Sequence, residues 1–181
     1  LRAWAPSYRI GVWEDALAEF DVSDSYLGEW MAEQFPTVRR SYIKRWPDAF
    51  RVLGALRGTM PMAVLTNGAS CLQREKLEAA GLEDWFDVVV VSGDIGCGKP
   101  DPRPFALCAQ ELGIEPAELL MVGDSLERDV IGARSAGYQA LWLDRFGSQH
   151  DPARDPAGVP RVDSLDRLDV DALRNGRLKL D

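Results

Sequence analysis

Apolar residues recur at helical spacing along the first part of the chain, at Trp13, Leu17 and Phe20 and then at Leu27, Trp30, Met31 and Phe35. This period predicts two amphipathic helices between Ile10 and Phe35. The acids and serine from Asp21 to Asp24 favour a turn between them, and Pro36 is expected to end the second. Stripes of this kind usually face a core, so the aromatic residues read first as packing positions.

The pattern changes after Pro47. Asp48 is placed to cap a helix carrying Phe50, Val52, Leu53 and Leu56, and Met62 to Leu65 reads as a short strand. Helix and strand then alternate, with helices near Cys71 to Ala80, Arg103 to Leu112 and Leu126 to Ala136. The intervening strands run from Phe86 to Val91, Leu119 to Val122 and Gln139 to Leu143. Strands that are apolar throughout and alternate with helices belong to a parallel sheet covered on both faces. Gly81, Gly113 and Gly137 follow the helices, where a left-handed stop is wanted. The Gly- and Pro-rich run from Gly147 to Pro160 predicts a surface loop, followed by an edge strand from Arg161 to Asp163 and a last helix from Leu165 to Leu173.

At 181 residues the chain has room for one medium domain, or a core with a small accessory domain. A formal charge of -8 argues against nucleic acid as a partner. The longest apolar run, around Phe86 to Val91, falls far short of the roughly 20 residues of a membrane span, and LRAWAPSYRI lacks the pattern of a signal peptide. Cys71, Cys97 and Cys108 show no C-x-x-C spacing, which disfavours a disulfide framework or a zinc site; buried, inert thiols in a reducing cytoplasm are expected. The single histidine, His150, sits in the polar stretch GSQHDPARDPAG and is expected in a solvated loop, which disfavours Ser-His-Asp or Cys-His catalysis. No G-x-G-x-x-G follows a strand, which disfavours a dinucleotide-binding dehydrogenase.

Candidate chemistry collects at the carboxyl ends of the strands, where open α/β sheets bind ligands. Thr66, Asn67 and Gly68 close MAVLTNG, and a hydroxyl with successive N–H groups at a turn into a helix can cradle an anion, or simply cap that helix. Lys99 follows the next strand in GDIGCGKPDP, where an ammonium can neutralise phosphate oxygens and a carboxylate together, or stand in solvent as a surface charge. Asp124 and Asp129 in LLMVGDSLERD would lie together at the start of a helix. Such a pair suits Mg2+, with Asp124 as a plain helix cap the alternative.

The order T-N-G, then K-P, then G-D-x4-D, each at its own strand end, is far more specific than any member. With VVVVSGDIGCGKPDPRPF and LMVGDSLERDVIGARSAGY, it resembles the haloacid dehalogenase superfamily of hydrolases, in the branch with a small helical cap. The resemblance spans roughly Trp13 to Leu173. It implies a Rossmann-like α/β core over residues 45–181 and a partial helical cap over 1–44. Trp4, Trp13 and Trp30 read by default as core packing, with a cap face or a dimer contact as the alternatives. The resemblance also implies that Thr66 hydrogen-bonds the transferred phosphoryl group, that Asn67 helps through its N–H beside Gly68, that Lys99 pairs with nucleophile and phosphate, and that Asp124 binds Mg2+ with Asp129 in support. The substrate would be a small phosphorylated molecule, and the protein a monomer or homodimer.

In that family the reaction begins at an aspartate in a D-x-D segment ending the first, central strand. Asp15, Asp21 and Asp24 lie in the helical N-terminal region behind no apolar strand, so neither nucleophile nor general acid can be assigned. A central strand contributes on the order of 8 to 15 kcal/mol through about five buried apolar side chains. We therefore expect residues 1–181 to be a fragment whose first strand and nucleophile precede Leu1, and to be inactive as they stand. The expected parent is a Mg2+-dependent phosphomonoesterase; the alternatives are a 2-haloacid dehalogenase and an inactive anion-binding homologue.

Overall fold

The computed structural model describes residues 4–147 and 158–180, with side chains from Ser7 onward. The chain divides into two compact units, Leu1–Lys44 and Arg45–Asp181.

The first unit is a helical pair, α1 (Trp4–Ala18) and α2 (Ser25–Ser41). Asp24 starts α2 by accepting the Leu27 N–H at 3.0 Å. Contrary to expectation, α2 runs through Pro36 to Ser41. A proline removes one amide donor, but its fixed φ is helical, and a helix of 17 residues absorbs that loss. The aromatic stripe is also only partly packed. Trp13 meets Phe35 edge to face with ring centroids 6.0 Å apart, while Phe20 is 79% exposed and Trp30 49%. The buried positions of α2 are the small Gly28 and Ala32, so close backbone approach and not aromatic burial joins this pair.

The second unit alternates strand and helix: α3 (Pro47–Leu56), β1 (Ala63–Thr66), α4 (Ser70–Ala79), β2 (Val88–Val91), α5 (Ser92–Ile95), α6 (Pro102–Leu112), β3 (Leu120–Gly123), a π-helical turn (Leu126–Ile131) running into α7 (Gly132–Ser135), β4 (Gln139–Leu143), β5 (Arg161–Val162) and α8 (Val170–Arg174). Among the described residues the named strands pair in parallel, β1 with β2, β3 with β4, and β4 with β5, and a single antiparallel bridge joins Leu168 to Leu180. Local chemistry sets the helix bounds. Asp101 caps α6 through the Arg103 N–H, Pro102 occupies its first turn, and Gly113 ends it at φ 66°. The last helix is shorter than the apolar pattern predicts. Leu165–Arg167 forms a separate 3-10 turn, and α8 begins only after Asp169, whose side chain accepts the Ala172 N–H.

Helices cover both faces. On one, Leu65, Val90, Ala140 and Trp142 pack with Phe105, Cys108 and Ala109 of α6 and with Val130 and Ala133. On the other, Met62, Leu141 and Val162 pack with Val52 and Leu56 of α3 and with Leu165 and Leu173. The cysteines are all free, but only Cys108 is buried; Cys71 is exposed on α4, whose face carries no fully buried residue. His150 lies outside the described residues. Among the described residues no helix is long and apolar enough to cross a membrane.

Alternation along the strands shows which edges are paired. The Met62 carbonyl turns toward β2 and accepts the Asp87 N–H at 2.8 Å, so Ala63 and Leu65 present their backbone groups on the other edge of β1. By the same alternation the Leu119 carbonyl faces β4, and Leu120 and Val122 face away from it. Among the described residues no strand pairs with either edge.

Candidate active site

At the carboxyl end of β1, Asn67 and Gly68 turn the chain into α4. That helix is entered at Ala69 with no side-chain cap, so Thr66 and Asn67 do not act as its cap. The Asn67 amide reaches instead to the loop after α5. Its Nδ2 donates to the Lys99 carbonyl and its Oδ1 accepts the Lys99 N–H, both at 2.8 Å. The Gly68 N–H is committed to the Ser92 hydroxyl at 2.8 Å. Of the groups that the sequence offers at this turn to cradle an anion, the Gly68 N–H is thus taken, which leaves the Thr66 hydroxyl and the Asn67 N–H as the candidates.

Lys99 is not a solvated surface charge. Its side chain is 9% exposed, and Nζ donates to the Leu65 carbonyl at 2.6 Å and pairs with Asp129 Oδ1 at 2.7 Å. The carbonyl it takes is one that β1 presents away from β2, so the ammonium stands between the unpaired edge of β1 and the segment that follows β3. A buried ion pair repays its desolvation only with good geometry and further hydrogen bonds, and both are present here.

Asp129 uses its other oxygen as well: Oδ2 accepts the Ser125 N–H at 2.9 Å. Gly123 makes room for this, since a Cβ there would come within 2.5 Å of the Asp129 carboxylate. The helical turn after β3 is capped by Ser125, whose hydroxyl accepts the Arg128 N–H, and not by Asp124. Asp124 is exposed just past the strand end. With both oxygens of Asp129 engaged, Asp124 is the acid of the pair left to face a metal. A single carboxylate of this kind could hold Mg2+, which keeps several waters and takes few protein ligands.

The sequence contains one D-x-D spacing, Asp169-Val170-Asp171. It starts α8 and ends no strand; Asp169 pairs with Lys179 and Asp171 with Arg174, each at 2.9 Å. It is a helix start, not a nucleophile motif. Spacing also gave no sign of three contributors, the Ser92 hydroxyl, the Leu65 carbonyl and the Trp142 indole, whose Nε1–H donates to the Asp124 carbonyl at 3.1 Å. Their partners lie 18 to 34 residues away along the chain.

Residues 14–137 match the haloacid dehalogenase-like hydrolases. A phosphoserine phosphatase of Thermus thermophilus is 43% identical over 157 residues, covering 86% of this chain and 62% of that protein. The human N-acylneuraminate-9-phosphatase is 34% identical over 142 residues, covering 77% of this chain and 57% of that protein. The chain thus spans roughly three fifths of the length of these relatives. Among solved structures, a HAD phosphatase from Thermococcus onnurineus superposes with a TM-score of 0.64 at 31% identity, covering 90% of this chain and 69% of that one. A 2-haloacid dehalogenase from Pseudomonas syringae pv. Tomato DC3000 superposes with the same score at 26% identity, covering 94% and 70%. The chain belongs to the haloacid dehalogenase-like hydrolases.

Proposed function

We propose that this chain is the phosphate- and metal-holding part of a Mg2+-dependent phosphomonoesterase that acts on a small phosphorylated metabolite through an aspartyl-phosphate. The observation that carries this reading is the buried Lys99 ammonium, fixed by Leu65 and Asp129 beside the Thr66–Asn67 turn. In this reading the nucleophile and the general acid stand on a strand outside residues 1–181, seated along the unpaired edges of β1 and β3. A carboxylate at the end of such a strand would reach the Lys99 ammonium directly.

The roles of this chain's residues follow from charge. As the nucleophilic carboxylate oxygen bonds to phosphorus and the ester P–O bond breaks, the general acid gives its proton to the departing alkoxide, and negative charge sits on the phosphoryl oxygens. The Thr66 hydroxyl and Asn67 N–H hold them, and Lys99 neutralises them from a site that needs no reorganisation. Water then attacks the aspartyl-phosphate and releases inorganic phosphate. Asp124 would hold Mg2+, which supplies further charge neutralisation at the phosphoryl group. Residues 1–44 form the cap in this reading and select the substrate. The phosphatase activities named for the relatives support the substrate class. The free thiols suit the reducing cytoplasm.

Assaying the full-length gene product against a panel of phosphomonoesters, with and without Mg2+, tests the proposal. Turnover that depends on Mg2+ is expected. The likeness to a 2-haloacid dehalogenase gives a second reading, which Mg2+-independent halide release would establish in its place. Silence toward both substrate classes would leave an anion-binding homologue.

A further inference from the structure

The proposed roles account for the Asp124 carboxylate but not for what holds the backbone beneath it. That residue lies beyond the end of β3 and is exposed, where a peptide unit would ordinarily be free to rotate. Here it is held at both ends. The Asp124 carbonyl and the Ser125 N–H belong to one planar peptide unit. The carbonyl accepts the Trp142 indole N–H at 3.1 Å, and the N–H donates to Asp129 Oδ2 at 2.9 Å.

Trp142 is itself tightly placed. It is 2% exposed, and the register of β4 sets it opposite Gly123 on one side and Arg161 on the other. The Arg161 guanidinium lies over the indole, 4.5 Å from the ring centroid, and also pairs with Asp144, whose side chain is 7% exposed. A core position on β4 calls only for an apolar side chain, as its neighbours Ala140 and Leu141 show. An indole whose nitrogen meets this particular carbonyl does more than fill space.

We infer that Trp142 is a positioning residue: through the 124–125 peptide it fixes both the acid that faces the metal and Asp129, the acid that holds Lys99. This rests on the reading of Asp124 as a Mg2+ ligand. The indole N–H, the peptide plane, Asp129 and Lys99 form one connected series. The two halves of the site, metal-facing and phosphate-facing, therefore share a single backbone anchor. Losing the indole donor frees the peptide to rotate, which turns Asp124 and loosens the Ser125 hold on Asp129 together.

The test uses the full-length protein with Trp142→Phe, and a second variant in which benzothienylalanine replaces Trp142, so that sulfur stands where the N–H was and the ring size is kept. Mg2+ binding is measured by titration calorimetry, and amide hydrogen exchange is measured without metal. Both variants are expected to bind Mg2+ about 3- to 10-fold more weakly, as expected for loss of one hydrogen bond behind a ligand. Exchange should quicken at Ser125 and through Asp129 while β4 stays protected. Unchanged Mg2+ affinity and unchanged exchange would overturn the inference and leave Asp124 as a ligand. Exchange quickened throughout β4 in both variants would reduce Trp142 to a packing residue and overturn it too. Absence of Mg2+ binding in the unaltered protein would overturn the ligand reading itself, and this inference with it.

Discussion

The side-chain amide of Asn67 clasps the backbone of Lys99, donating to its carbonyl and accepting its N–H, both at 2.8 Å. Only an amide can do both at once, and the fit is close, since a Cβ on Gly98 would come within 2.7 Å of Asn67 Oδ1. Asn67→Asp keeps the shape but turns an oxygen toward the Lys99 carbonyl. It is expected to lower stability by about 1–3 kcal/mol, the penalty for an unsatisfied buried acceptor. Turnover should fall through displacement of Lys99. Urea unfolding and phosphomonoester kinetics check this; an unchanged unfolding midpoint would dismiss the clasp as incidental.

The Lys99–Asp129 pair makes a sharper separation between stability and chemistry. Lys99→Met leaves the buried Asp129 carboxylate without its cation, and a loss of about 3–5 kcal/mol is expected. Adding Asp129→Asn removes the stranded charge and still offers an oxygen to the Ser125 N–H. The double variant should therefore recover most of the stability while remaining inactive. Equal destabilisation of single and double variants would show that the pair does not share one buried environment.

The candidate residues were legible along the chain because Thr66 ends an apolar strand and Lys99 and Asp124 come after two others, and strand ends in a parallel arrangement share one side. The clasp by Asn67 was not. Spacing shows which residues share an end of the sheet, but not which backbone groups they meet across 32 residues of intervening chain. The same limit hid Ser92, which takes the Gly68 N–H, and made that amide look available to an anion. In the first unit the error ran the other way. A helical stripe marks an apolar face, and Phe20 and Trp30 carry that pattern, yet the residues buried in α2 are the small Gly28 and Ala32.

Asp48 governs the expected behaviour in acid. Burial alone would raise its carboxyl. The Arg145 guanidinium, the Leu165 N–H, the Ser164 hydroxyl and the Ala49 N–H together outweigh burial and hold it far below the usual carboxylate range. Those donors lie 2.7 to 2.9 Å from its oxygens, and Arg145, Ser164 and Leu165 tie the start of α3 to the segments that follow β4 and β5. Because the folded carboxyl titrates below the unfolded one, its contribution is complete above about pH 4 and is lost as pH falls further. Asp48→Asn should be less stable at pH 7 by about 3–5 kcal/mol, with Arg145 left unpaired. The gap to the unaltered protein should narrow as pH is lowered from 4 toward 2. A gap that stays constant in urea titrations across that range would remove Asp48 from the acid response.

Opposite outcomes are expected at Gly123 and Gly54. A Cβ on Gly123 would come within 2.5 Å of the Asp129 Cβ, Cγ and Oδ2, so Gly123→Ala must push that acid off Lys99 or Ser125. Overpacking of this kind lowers stability by about 1–3 kcal/mol. Because the displaced group holds Lys99, turnover of the full-length protein should fall at least about tenfold, equivalent to roughly 1.4 kcal/mol in the barrier. On Gly54, within α3, a Cβ meets only the Trp85 ring at 3.5 Å, an ordinary contact. Gly54→Ala should raise stability by about 0.5–1 kcal/mol through helix propensity and leave turnover unchanged. Thermal unfolding and kinetics on both variants check the pair. Full activity in Gly123→Ala would mean that Asp129 can move without disturbing Lys99, and the ammonium would then lose its place as the fixed centre of the site.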